Sequence, residues 1–229
     1  MRYTDGFPIA VVEAEPESRQ PEAGLEQAKR YAQDLGLAFA YATNGHKTLE
    51  YDFFTHTSRE LSTFPTPQEL WECWKDNTGL EQPTAGMISK APAVYGVGGE
   101  PANAILYPYY PESQCGKRPY YFQEQAIRKV TLRIMRGKER ILLTMATGIG
   151  KTFVAFQVVW KVLKSGWLER WHPERPVRVL FLADRVVLRN QAYKTFSPLA
   201  TGTSDPRCLI EGQPPNLNRD LYFGIYQTL

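Results

Sequence analysis

The stretch MATGIGKT, Met145–Thr152, decides the reading of this chain. It follows the apolar run ILLTM (Ile141–Met145) and precedes FVAFQVVWKVLK (Phe153–Lys164). A buried strand over Arg140–Met145 and a helix over Thr152–Lys164, stopped by Gly166, would set a glycine-rich turn between strand and helix. That is the context of a phosphate-binding P-loop. Backbone N–H groups of Thr147, Gly148 and Gly150 would meet phosphate oxygens at the positive end of the helix. Lys151 would reach the β- and γ-phosphates as the catalytic cation, and the Thr152 hydroxyl would ligand Mg²⁺. The expected cofactors are therefore ATP and Mg²⁺. Met145 departs from the general pattern GxxxxGK[ST], which has glycine at that place.

Outward from this turn the chain alternates. Helical periodicity covers Tyr120–Met135 and Val186–Phe196, and apolar strand-like runs cover Val177–Ala183 and Leu221–Tyr226. The β-α-β-α-β order predicts a parallel sheet with right-handed crossovers. RPYYFQEQAI (Arg118–Ile127) is similar in spacing to the Q-motif of superfamily 2 helicases, which makes Gln123 a candidate reader of the adenine edge. An amide donates and accepts at once, as the adenine edge requires. LFLADRVVLRNQAY (Leu180–Tyr193) resembles the helicase Ia region. There Arg185 and Arg189, four apart, would share a helix face and hold DNA phosphates. The same arginines would equally suit a solvated helix surface.

The first third reads as mixed α/β. Phe7–Ala14 (FPIAVVEA) is a short apolar strand. Pro21–Leu35 puts Leu25, Ala28, Ala32 and Leu35 on one helical face, with Gly36 as the stop. Ala38–Ala42 and Thr48–Tyr51 flank the turn signal Asn44-Gly45, and Thr66–Trp74 opens as a helix at Pro67. Between Asp76 and Lys117 periodicity fails among recurring Gly and Pro, so a surface connector is expected there. The predicted division is 1–78, a linker over 79–116, and 117–229.

Charge follows this division. The 229 residues carry a net +3, yet residues 1–82 hold 7 Lys/Arg against 14 Asp/Glu, and residues 83–229 hold 20 against 10. The basic part faces a polyanion or merely presents a solvated surface; charge alone leaves both open. Three cysteines without a CxxC pair exclude a disulfide scaffold and a cysteine zinc site, and point to the cytoplasm. No run approaches the roughly 18 apolar residues of a membrane span.

VVEAE (Val11–Glu15), Gln27-x-x-x-Tyr31, FAYATNGHKTLEYD and FPTPQELW, followed in order by RPYYFQEQAI, MATGIGKT, VLFLADR and LYFGIYQTL, resemble the motor and endonuclease (R) subunit of type I restriction enzymes. The resemblance spans nearly the whole chain and joins two unrelated motif sets. It implies an α/β fold, a partial PD-(D/E)xK nuclease-like domain followed by a partial P-loop, RecA-like parallel-sheet domain. It implies an ATP-dependent translocase on double-stranded DNA coupled to a Mg²⁺-dependent endonuclease, working with methyltransferase and specificity subunits. By the same resemblance Glu13 is the metal ligand, with Gln27 and Tyr31 beside it in the nuclease site. Three departures stand out. Glu15 occupies the slot of the catalytic lysine, leaving Arg30 as the cation nearest in helical phase. The family's first metal-binding Asp would precede Met1, Asp5 being too close. No DEAD/DEAH box follows, which predicts an inactive fragment. The alternatives are a helicase-type nucleotide- and DNA-binding module without a nuclease role and, less well matched, a plain P-loop phosphotransferase.

Overall fold

The computed structural model describes residues 1–4, 6–80, 103–171, 176–200, 205–212 and 215–228. The chain divides into two compact units, Met1–Gln82 with Met135–Gly137, and Pro83–Ile134 with Lys138–Leu229. The first holds a short antiparallel pair, β1 (Arg2–Thr4) and β2 (Phe7–Pro8), and a four-stranded sheet of order β3-β4-β5-β6. Its strands are Ala10–Ala14, Phe39–Thr43, Thr48–Asp52 and Thr57–Leu61. The first two are parallel and the rest antiparallel.

The parallel pair needs a crossover, and α1 (Pro21–Leu35) supplies it. Pro21 opens the helix where its missing N–H costs nothing, and Gly36 closes it, donating to the carbonyls of Ala32 and Gln33. Leu25, Ala28 and Ala32 lie buried along one face of α1. The helix α2 (Pro67–Thr78) starts with a reciprocal capping box between Thr66 and Glu69. It buries Trp71 and Trp74, with Phe7 edge-on to both rings.

In the second unit a three-stranded parallel sheet has the order β7-β9-β8, with strands Val179–Ala183, Leu221–Ile225 and Arg207–Leu209. The central strand β9 is buried from Leu221 to Gly224, as expected for a parallel strand covered on both faces. The helices are α3 (Glu112–Cys115), α4 (Tyr121–Met135), α5 (Lys151–Lys164), α6 (Trp167–Trp171) and α7 (Val186–Thr195). Phe156 of α5, Phe196 after α7 and Phe223 of β9 form the aromatic centre of the core. The arrangement is a mixed α/β fold with a parallel sheet, consistent with a RecA-like helicase domain.

One expected strand does not form. Residues 140–146 join no ladder, and Leu142 is 93% exposed. A strand is held by its neighbour's hydrogen bonds rather than by its own composition. Among the described residues the sheet closes at three strands, β7-β9-β8, and ILLTM is hydrogen-bonded to neither edge. The described part of the expected linker, 103–116, packs against α5 instead of draping over the surface, burying Ala104, Ile105 and Tyr110. Among the described residues no helix is long and apolar enough to cross a membrane.

Candidate functional site

The turn before α5 is built as the sequence requires. Gly150 caps the helix at φ +83°, a backbone conformation that side-chain-bearing residues rarely adopt. It is bare for a second reason: a Cβ there would lie 2.6 Å from Nε2 of Gln123. The Gln123 amide spans two segments, accepting from the Tyr120 N–H at 3.0 Å and donating to the Ile149 carbonyl at 2.8 Å. Gln123, the expected adenine reader, thus braces the turn before α5 while one amide hydrogen and one lone pair remain beyond these two bonds. Lys151 folds back over the turn, its ammonium donating to the Ala146 carbonyl at 2.9 Å and reaching Met145 O at 3.4 Å. Thr147 and Gly148 lie in the same turn, and Thr152 is the second residue of α5.

A cleft of about 600 Å³ opens beside this turn. Gly148, Ile149, Gly150 and Phe153 form one side, and Glu112, Lys117, Arg118 and Tyr120 the other, with Gln123 between them. The basic and aromatic groups suit a nucleotide's base and phosphates alike.

The second predicted constellation also assembles. Gln27 of α1 donates to Glu13 Oε1 of β3 at 3.2 Å and to the Tyr31 hydroxyl at 3.2 Å. Glu15 lies against α1 instead. A Cβ on Gly24 would meet its Cγ at 2.8 Å, and Arg19 stands 3.9 Å from its carboxylate. Arg30 is exposed on α1. Asp5 lies outside the described residues, and among these no group of three His, Cys, Asp or Glu could hold a metal ion.

The two arginines expected to share a face do not. Arg185 precedes α7 as its N-cap and is exposed, 3.6 Å from Asp184. Arg189 is 4% exposed and bonds the carbonyl of Ile210, the Asn190 side chain and the Glu211 carboxylate. Its guanidinium is spent on holding α7 to the segment after β8, which leaves Arg185 as the exposed member of the pair.

Among the described residues, sequence reasoning missed two buried charged groups. Glu50 of β5 accepts from the Tyr41 hydroxyl at 2.5 Å and from Arg59 Nε at 2.6 Å, a ladder across three strands. Burial, and then the bond to Glu50, push the Tyr41 phenol far above its usual range. Lys161 of α5 is buried, and burial pushes its ammonium down to about 7. The sign of it was present in the sequence: Lys161 falls on the stripe of Val154 and Val158, where an apolar residue is expected.

A family model described as type III restriction enzyme, res subunit, matches residues 116–229. The chain is 31% identical over 240 residues to the type I restriction enzyme EcoAI endonuclease subunit of Escherichia coli, a match covering 99% of this chain and 25% of that protein. The EcoKI endonuclease subunit of Escherichia coli strain K12 is 40% identical over 84 residues, covering 37% of this chain and 6% of that protein. A solved fragment structure assigned to an HsdR subunit of a type I restriction enzyme from Vibrio vulnificus YJ016 is 39% identical. It superposes with a TM-score of 0.77, covering 100% of this chain and 36% of that one. The chain thus spans about a quarter of the curated relative that it matches from end to end. In sequence and backbone alike, this chain is similar to endonuclease subunits of type I restriction enzymes, and its residues 116–229 to a restriction-enzyme res subunit.

Proposed function

We propose that the chain is part of a type I restriction R subunit, and that residues 117–229 bind ATP–Mg²⁺ and double-stranded DNA as part of its motor. The observation that carries this reading is the brace from Gln123 to the Ile149 carbonyl, which ties the helicase-like segment directly to the phosphate turn. The residues fit the nucleotide. The backbone N–H groups of the turn and the Lys151 ammonium, which donates to Ala146 O at 2.9 Å, are the donors a triphosphate would engage at the start of α5. ATP would supply the phosphoanhydride bond whose hydrolysis drives translocation. Lys151 would neutralise its terminal phosphates, Gly148, Gly150 and Thr147 would cradle them, and Thr152 would hold the Mg²⁺. Arg185 would meet the DNA backbone.

The first unit we read as the remnant of the nuclease domain. Glu13 would be its metal ligand, oriented by Gln27, which Tyr31 in turn contacts. With one carboxylate at that point and Glu15 turned onto Gly24, the described residues do not fit a complete Mg²⁺ cage. That favours, for this chain by itself, the reading of a nucleotide- and DNA-binding module without cleavage. The methyltransferase and specificity subunits would be partners of the whole protein, in the cytoplasm.

The test is calorimetric titration of the chain with ATP–Mg²⁺. Weak binding is expected, with negligible hydrolysis, because no residue of the turn 145–152 is a carboxylate that could place the metal and water. Supercoiled plasmid should not be nicked, because no group of three described His, Cys, Asp or Glu residues could hold the nuclease metal. Lys151→Ala should abolish the binding. DNA-stimulated turnover by this chain, or binding that survives the substitution, would contradict the reading.

A further inference from the structure

Lys161 lies ten residues beyond Lys151 on α5, about 15 Å along the helix at 1.5 Å per residue, and touches no nucleotide-facing group. Its side chain is 2% exposed. The ammonium donates to the Ile105 carbonyl at 3.2 Å and to the Tyr107 carbonyl, and lies 4.3 Å from the centre of the Tyr109 ring. Two further bonds from the same face of the helix secure the same strap. Trp160 Nε1 donates to the Pro108 carbonyl at 3.1 Å, and the Tyr110 N–H donates to Gln157 Oε1 at 3.0 Å. The Tyr110 ring stands edge-on to Trp160 at 4.8 Å.

If packing alone were needed, an apolar side chain would serve this position better, because burying an ammonium is costly. What a lysine adds is several donors on a long stem, and the strap turns two carbonyls inward that need them. The strap runs on through α3 into Gly116–Tyr120, the side of the cleft opposite the phosphate turn. The turn is the N-terminus of α5, and the strap is tied further along the same helix. One rigid element therefore carries both sides of the cleft.

We propose that Lys161 is a positioning residue for the nucleotide cleft: by fastening the strap to α5 it sets where the wall Glu112–Tyr120 stands relative to Gly148–Gly150. This rests on the nucleotide reading above and adds a split that reading lacks. Tyr120 of the wall would meet the base end of a nucleotide, and Lys117 and Arg118 would add to the phosphate contacts of the turn, so the wall matters more to a nucleotide than to phosphates alone. Loosening the strap therefore weakens ATP more than a ligand made of phosphates only.

The experiment titrates the chain with ATP and, separately, with inorganic tripolyphosphate. Lys161→Met keeps the length of the side chain and removes its donors. It should weaken ATP about tenfold, the scale of one or two misplaced polar contacts, and weaken tripolyphosphate by clearly less. Trp160→Phe removes one strap bond at a half-buried position, keeps an aromatic ring, and should shift the same ratio in the same direction by less. It carries the test if Lys161→Met fails to fold. Equal losses for both ligands in the variant that folds would mean a merely structural lysine and overturn the proposal, as would no loss for either. A wild-type chain that binds neither ligand would overturn the nucleotide reading itself, and the proposal with it.

Discussion

Glu15 and Gly24 illustrate how one side chain fixes another position. Alanine is favoured over glycine inside a helix by about 1 kcal/mol, yet α1 keeps Gly24 because the Glu15 stem occupies the space a methyl group would take. Gly24→Ala should therefore destabilise the wild-type chain. In a Glu15→Ala background the same change should stabilise it by up to about 1 kcal/mol, as helix propensity dictates. A double-mutant cycle by urea unfolding reads the reversal of sign, and independent effects at the two positions would refute the packing argument. Glu13, Gln27 and Tyr31 meet as the family spacing implied, because a strand residue and two helix residues four apart are local enough to fix from sequence. Arg189 shows the limit. Its spacing from Arg185 was legible, but its neighbours Ile210 and Glu211 come from a segment that no local pattern connects to α7.

Among elements, legibility followed how much of the stabilisation is local. The helices α1, α2, α5 and α7 carry apolar periodicity or cap signals in their own residues, and their bounds lie close to expectation. The strands β1 and β8 have three residues each, and β6 (TSREL) is polar, so none of them shows a pattern. ILLTM shows the reverse case, strong strand composition without ladder hydrogen bonds. That difference is measurable. Leu142→Ser, at a position almost wholly open to solvent, should change stability by no more than about 0.5 kcal/mol. Phe223→Ala, in buried β9, should cost about 3–5 kcal/mol. Urea unfolding of the two variants decides it; a large cost at Leu142 would mean that the segment is packed in solution.

At the scale of the whole chain, the acidic first part and the basic second part give each unit its own electrostatic character. Phosphate contacts release counterions, so binding of duplex DNA should be weak, indifferent to sequence and steeply salt-dependent, and should reside in residues 117–229. Arg185→Ala should lower the salt slope by about one contact's worth, roughly 0.9. Arg189→Ala should leave the slope alone and lower stability instead, since its guanidinium is engaged internally. A fluorescence titration of duplex binding across salt concentrations, run beside thermal unfolding, separates the two arginines. An equal slope change for both would show that Arg189 reaches phosphate after all.

The seat over Gly24 also has a genetic meaning. Glutamate and lysine codons differ by one transition at the first base, so position 15 lies a single nucleotide from the residue that the family resemblance calls for. Glycine at 24 keeps that step short. Its bare α-carbon leaves room for the methylene stem at position 15, whereas an alanine fixed there by drift would crowd the glutamate now present. The gene thus retains a one-step route between the two spellings for as long as this glycine codon survives.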